Sequence, residues 1–201
     1  MEEIVTLASL PRPLAWHTPP VHWRQNGPSS LTITAGAVTD LFIDPRGAPP
    51  LLNAPRLLAA IAGDFQFSAR VTVDFAATFD AGVLLIWGDE SHWAKLCFEY
   101  SPRRQPMVVS VVTREASDDA NGFVASANQI WLRVGRLGPA FAFHASTDGQ
   151  TWDLVRHFAL DLGETANLGF LAQSPTGTGC TAIFDAIRFA PERLQDLRGG
   201  E

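Results

Sequence analysis

The stretch "FQFSARVTVDF" alternates without a break. Phe65, Phe67, Ala69, Val71, Val73 and Phe75 fall on one side of an extended chain, and Gln66, Ser68, Arg70, Thr72 and Asp74 on the other. Side chains of a strand point to opposite faces in turn, so such a row suits a sheet with one face packed on apolar partners and the other facing polar surroundings. The same period returns in "WAKLCFEY", where Ala94, Leu96, Phe98 and Tyr100 oppose Trp93, Lys95, Cys97 and Glu99. It returns again in "QIWLRVGR", where Ile130, Leu132 and Val134 oppose Gln129, Trp131 and Arg133. Further strands are expected near 21–25, 30–35, 81–88, 106–114, 140–146, 151–160, 165–173 and 180–190, separated by turn signals such as "GDES", "SPRRQP", "RLGPA" and "SPTGTG". Many short strands with no βαβ rhythm predict an all-β fold, a sandwich of two antiparallel sheets with at most one or two short helices. The helical candidates are "APRLLAAI", Ala54 to Ile61, and a frayed helix over the last ten residues, "ERLQDLRGGE" (192–201), within a tail at 191–201. No linker or repeat divides the chain, so one domain is expected over 1–201 with its core at about 20–190.

A chain of 201 residues can bury a core without disulfide or metal staples. Its formal net charge of −6 argues against a nucleic-acid partner, which needs clustered Lys and Arg. The one tight basic pair, Arg103-Arg104, sits between prolines and reads as a hairpin tip. The two cysteines, Cys97 and Cys180, lie in expected strands and read as small core residues. The acidic start "MEEIVTLASLPRP" has no basic n-region, and no apolar run is long enough to span a bilayer. The expectation is a cytoplasmic protein with reduced thiols and no membrane partner.

The stretch "HASTDGQTW" (144–152) resembles the Asp-box hairpin, S-x-D-x-G-x-T-W, one residue short of that pattern because Gly149 directly follows Asp148. Asp-Gly is a strong turn signal, since Gly accepts positive φ and Asp bonds nearby amides. It is read as a turn, with Trp152 packing across the hairpin and, like Trp87, assigned to the core.

Read together, "TDLFIDPRG" (39–47), "GDF" (63–65), "FDAGVLLIW" (79–87), "HWAKLCFEY" (92–100), "SVVTREASDD" (110–119), "WLRVGRLGPAFAFHASTDGQTW" (131–152) and "GFLAQSPTGTG" (169–179) carry a resemblance. In order and spacing they resemble a family of unknown biochemical function in the concanavalin A-like lectin/glucanase superfamily, which includes fungal proteins named for regulation of enolase. The resemblance implies a concanavalin A-like jelly roll with a concave sheet, and lectin-like or regulatory roles. One departure is Ala81, where that family often has Gln after the Asp of its "FD-AG" segment.

Catalytic signatures are absent from the sequence. There is no E-x-D-x-x-E strand, no G-x-S-x-G, no H-E-x-x-H and no phosphate loop. His92 and His144 have no recognisable Ser or Cys partner. No cofactor is implied. "SDDANG" offers Ser117, Asp118, Asp119 and Asn121 as oxygen ligands for calcium, but without EF-hand spacing it reads first as a polar loop after a strand. The polar face of the middle strands is more informative. By alternation Trp93, Lys95 and Glu99 share one side, Trp131 and Arg133 share a side of another strand, Arg114 ends a third and Gln173 a fourth. Indoles with charged groups suit sugars, because the ring covers the apolar face of a pyranose and the charges bond its hydroxyls. An exposed ladder of ion pairs would give the same pattern.

Parity turns Leu96, Phe98, Leu132 and Val134 to the core. It is expected to gather Lys95, Glu99 and Arg133 on one face of near-adjacent strands, around a shallow pocket lined by Trp93 or Trp131. Three functions follow as expectations. The first is a non-catalytic, lectin-like module binding a carbohydrate or similar polar ligand through Trp93, Lys95, Glu99, Arg114, Trp131, Arg133 and Gln173. The second is a cytoplasmic interaction protein regulating a metabolic enzyme. The third is a glycoside hydrolase with dispersed carboxylates, Glu99 and Asp118.

Overall fold

The apolar rows become the facing surfaces of two sheets. The structure is a computed structural model that describes residues 3–201, and no helix occurs among them. In chain order the strands are β1 (Ile4–Val5), β2 (Leu14–Thr18), β3 (His22–Gly27), β4 (Ser30–Gly36), β5 (Leu41–Phe42), β6 (Leu51–Leu52), β7 (Arg56–Ala62), β8 (Phe65–Val73) and β9 (Ala81–Asp89). They continue with β10 (His92–Tyr100), β11 (Pro106–Arg114), β12 (Ala116–Val124), β13 (Gln129–Leu137), β14 (Ala140–Ser146), β15 (Asp153–Ala159), β16 (Thr165–Gln173) and β17 (Gly179–Ala190). Sheet A has eight strands in the order β1-β2-β7-β16-β9-β10-β11-β12, and sheet B seven in the order β15-β14-β13-β8-β17-β4-β3. Adjacent strands run antiparallel throughout both sheets. This is the β-sandwich that the alternation predicts.

The inter-sheet core holds the rows read from sequence: Phe65, Phe67, Ala69, Val71 and Val73 from β8, Ala94, Leu96 and Phe98 from β10, and Ile130, Leu132 and Val134 from β13. Phe170 of β16 in sheet A meets Phe67 of β8 and Phe184 of β17 in sheet B, with ring centroids 5.3 and 4.9 Å apart. The sheets approach closely at Gly82, where an added Cβ would lie 2.6 Å from Val71 and 3.0 Å from Ala182.

Each sheet's outer face is also covered. Residues 37–55 cross the outer face of sheet A as a small β5–β6 ribbon. Leu41 and Ala54 join Leu58, Val83, Leu85, Trp87, Trp93, Cys97 and Leu171 there in a second buried cluster. On sheet B the last residues fold back, and Leu194 packs with Leu137 and Ala142 in a third cluster.

Several expectations are corrected here. Ala54–Ile61 is not a helix: Arg56–Ala62 is strand β7, buried against the core on one side and the ribbon cluster on the other. The 191–201 tail is not a helix but a chain of bends and turns docked on sheet B. "SDDANG" is no loop; it is part of strand β12, the outermost of sheet A. Trp87 is buried, but in the outer ribbon cluster. Trp152 leaves the core altogether and stacks on Arg133, whose guanidinium carbon is 4.3 Å from the ring centroid. The Asp-box-like segment is a turn. Asp148 Oδ1 accepts the Gln150 and Thr151 amides at 2.7 and 2.8 Å, while Ser146 Oγ accepts the Gly149 amide at 2.8 Å. Gly149 has φ of 73° and sits against the Trp131 ring, so two separate constraints require glycine there.

Candidate functional site

The register of β10 sets the site. Lys95 pairs with Leu85 of β9 and Val111 of β11, and Val111 pairs with Asp119 of β12, so these side chains share the outer face of sheet A. Two steps along the same face, Glu99 pairs with Ala81, and Ala81 pairs with Gln173 of β16. The ribbon then brings Asp40 and Phe42 over this row, and the loop before β9 brings Phe79. Together Asp40, Phe42, Phe79, Lys95, Glu99, Val111, Asp119 and Gln173 line a cavity of about 140 Å³. Ala81, where the resemblance often has Gln, lies between Gln173 and Glu99 in the register, beside this cavity.

Lys95 is the centre of the site. It is only 2% exposed, although it carries an ammonium. Its Nζ donates to Gln173 Oε1 at 3.0 Å and lies 3.6 Å from Asp40 Oδ1. The ammonium has three donors. Gln173 and Asp40 account for two, and no acceptor among the described residues takes the third. Nζ also lies 5.6 Å from the centroid of the Trp93 ring, within cation–π range. Gln173 is fixed at both ends, because its Nε2 donates to the Phe79 carbonyl at 3.3 Å.

The ribbon is tied down beside the cavity. Asp40 Oδ1 accepts the Leu41 amide, and Ile43 exchanges bonds with Ser117 of β12. Two residues at the cavity's margins hold positive φ without being glycine, Val38 at 54° and Phe79 at 70°. Such conformations persist only where the surroundings enforce them. Asn53 Nδ2 bonds the Val38 carbonyl, and Phe79 exchanges its amide and carbonyl with Tyr100 and Gln173.

Burial pushes the Glu99 carboxyl up to about 8, with Lys95 opposing and Asp119 and Asp40 adding to the rise. Burial also raises the Asp119 carboxyl, again against Lys95. Near neutral pH the cavity therefore holds a cation, a carboxylic acid able to donate, and acceptors on Asp40 and Gln173.

The residues expected to form one pocket separate into two groups. Lys95, Glu99 and Gln173 come together. Trp93 is fully buried beneath Lys95 and is no platform for a ligand. Arg114 stands exposed at the end of β11 and reaches the Ala159 carbonyl at 3.4 Å. Trp131 and Arg133 lie on the outer face of sheet B, across the whole sandwich from Lys95. Parity assigns inside and outside correctly for each strand, but β10 and β13 belong to different sheets, so their outward faces are opposite faces of the molecule.

The carboxylate pair Glu99 and Asp118 also fails. Asp118 pairs through Val112 with Ala94, the inward parity, and its carboxylate meets Arg156 of sheet B at 3.0 Å. The calcium reading of Asp118, Asp119 and Asn121 is undone in the same way, since Asp118 and Asp119 point to opposite faces of one strand. Asp119 is the carboxyl that shares the cavity with Glu99. Asp40, Phe42 and Phe79 were not singled out in the sequence. Their only mark was that Asp40 and Phe42 lie in "TDLFIDPRG" and Phe79 opens "FDAGVLLIW", two of the segments that carry the resemblance.

A family model described as "Protein of unknown function (DUF1349)" matches residues 16–192. No curated protein matches the chain. Among solved structures, a functionally unknown protein from Saccharomyces cerevisiae superposes with a TM-score of 0.80 at 23% identity, over 87% of this chain and 94% of that one. The GH43 protein BlXynB from Bacillus licheniformis gives 0.70 at 16% identity, over 89% of this chain but 37% of that one. A xylan beta-1,4-xylosidase from Bacillus halodurans gives 0.62 at 13% identity, over 86% and 37%. At these identities the likeness is one of fold.

Proposed function

The chain belongs to the DUF1349 family of proteins of unknown function, and from that premise we propose that it is a non-catalytic binding module. Its ligand is a single sugar unit or a similar small polyol, held between the ribbon and sheet A. The observation that carries this reading is Lys95, a buried ammonium with an unmatched donor facing a cavity. A buried charge is costly unless its bonds are completed, and a ligand hydroxyl completes this one. Gln173, Asp40, Glu99 and Asp119 supply the mixed donors and acceptors that vicinal hydroxyls need. Phe42 and Phe79 supply apolar walls for the ring's C–H faces. The cavity is well below the roughly 300–1,000 Å³ of drug-sized sites, which favours one small unit over an extended chain.

Titration calorimetry against a panel of monosaccharides and polyols tests the reading. Saturable binding to at least one is expected, and Lys95→Met, which removes the unmatched donor, should weaken it several-fold or more in a chain whose circular-dichroism spectrum is unchanged. Silence across the panel at millimolar ligand, or equal affinity in Lys95→Met, would remove it.

A second reading is regulation of a metabolic enzyme in the cytoplasm, as the enolase resemblance implies. It is supported by Cys97 and Cys180, both free and buried, as suits a reducing compartment. Pull-down from the native source tests it, and the lack of a stoichiometric protein partner would count against it.

A further inference from the structure

The outer face of sheet B holds a second cavity, of about 430 Å³, that shares no residue with the Lys95 pocket. Its polar lining is Ser9, Gln66, Ser68, Arg133 and Arg188, with Trp152 along one side and no carboxylate among the lining residues. Arg133 is 7% exposed, and no ion pair reaches it among the described residues. Its Nη2 donates to the Gly200 carbonyl at 2.7 Å, but its buried Nε has no partner. Ser9 Oγ, on the same cavity, is also buried without a partner. Unpaired buried donors are rare in folded proteins, and here two of them belong to residues that line one cavity.

The backbone is shaped to bring a second cation to that space. Asp185 pairs with Arg70 and Arg188 pairs with Ser68, and the register breaks between them. Ala186, at φ 46°, is the extra residue. Without this bulge Arg188 would have inward parity. With it, Ile187 and Phe189 turn toward the core and Arg188 turns outward beside Ser68. The nearby Asp185 does not neutralise Arg188, because both its oxygens are engaged by Arg70 at 2.8 and 2.9 Å.

We propose that this cavity binds the oxyanion group of a small molecule, a carboxylate, sulfate or phosphate, between Arg133 and Arg188. The Ser9 and Ser68 hydroxyls complete the donor set, and Trp152 packs along the rest of the ligand. Two guanidiniums and neutral hydroxyls with no competing carboxylate give the charge-assisted bonds such a group needs.

The test uses the full chain at low ionic strength, titrated by calorimetry with inorganic phosphate, sulfate and acetate; the ranking separates a tetrahedral from a planar oxyanion. Saturable binding with a millimolar or tighter Kd is expected for at least one. Arg188 is exposed and no part of the core, so Arg188→Gln should fold normally and weaken binding about tenfold or more, the scale of one charge-assisted bond. Arg103→Gln, at the far hairpin tip, should leave binding unchanged. A further readout is the Arg133 side-chain Nε–H resonance, which should shift on saturation. Lack of saturable binding by all three anions, equal affinity in Arg188→Gln, or equal loss in Arg103→Gln would overturn the proposal. Because the cavities are on opposite faces, none of these outcomes bears on the sugar pocket.

Discussion

Glu99 carries a pH dependence whose sign is set by its surroundings. Its carboxyl is raised from an ordinary 4.5 to about 8, mainly by burial. Between these values the native state binds more protons than the unfolded chain. Stability from this group therefore falls as pH rises through the window, and is level above and below it. Glu99→Gln should remove that slope, and urea midpoints at pH 5, 7 and 9 check it; a slope unchanged in the variant would place the titrating group elsewhere. Gly82 carries a steric constraint in place of an electrostatic one. A methyl group there meets Val71 and Ala182 between the sheets, so Gly82→Ala should cost about 1–3 kcal/mol by overpacking, read as a lowered denaturation midpoint. Lys95 shows how far a single residue was legible. Alternation assigned it correctly to the outer face. What local pattern could not reveal is that a ribbon more than forty residues upstream covers that face and turns a surface lysine into a buried one.

At the scale of elements, alternation was legible where the two faces of a strand differ in kind, and was lost in β7. β8 alternates because its outer face carries polar residues. β7 reads "RLLAAIA" and is buried on both sides near its start, so Leu57, Leu58 and Ile61 lose the two-residue period and mimic a helical turn. β9 has the same problem, with seven consecutive buried residues from Ala81 to Trp87; flanking turns marked it as a strand. β12 fails for the opposite reason. As an outermost strand it is mostly exposed, and its acids and glycine imitate a loop. The tail over 191–201 looked frayed because its apolar content is small, yet Leu194 is 3% exposed and its neighbours' carbonyls satisfy buried donors. The Gly200 carbonyl accepts from Arg133, and the Leu197 carbonyl accepts from His144 Nε2 at 2.8 Å. Leu194→Ala should therefore cost about 2–3 kcal/mol, the low end for a buried Leu because its cluster is small. A chemical denaturation curve measures this, and a loss under 0.5 kcal/mol would mean the tail is not held by that side chain.

The whole molecule is a sandwich with something laid on each outer face, a ribbon over sheet A and a tail over sheet B, and each face also holds a cavity. The two layers are also joined at one rim, where Arg156 of β15 meets Asp118 of β12 at 3.0 Å and bonds the Ser110 and Asp118 carbonyls. The Asp118 side chain is 61% exposed, so this contact is mostly screened; Asp118→Ala should change stability by less than about 1 kcal/mol, and a larger loss in thermal melts would show that the rim is a structural seam. The same strand has a consequence for how copies of the protein treat one another. β12 ends sheet A with nine residues, and beyond Ser117, whose amide bonds the Ile43 carbonyl, its outer row of amides and carbonyls has no neighbouring strand. An open row of that length is a template onto which another chain could add, as happens when sheets grow into fibres. Here the successive acids Asp118 and Asp119 point to the two faces of the strand, and a glycine stands at position 122. A second copy whose acids met these would set like charges against each other on either face, and the glycine would weaken its pairing. The acids that look like a metal loop in the sequence thus weigh against strand addition at this edge of sheet A.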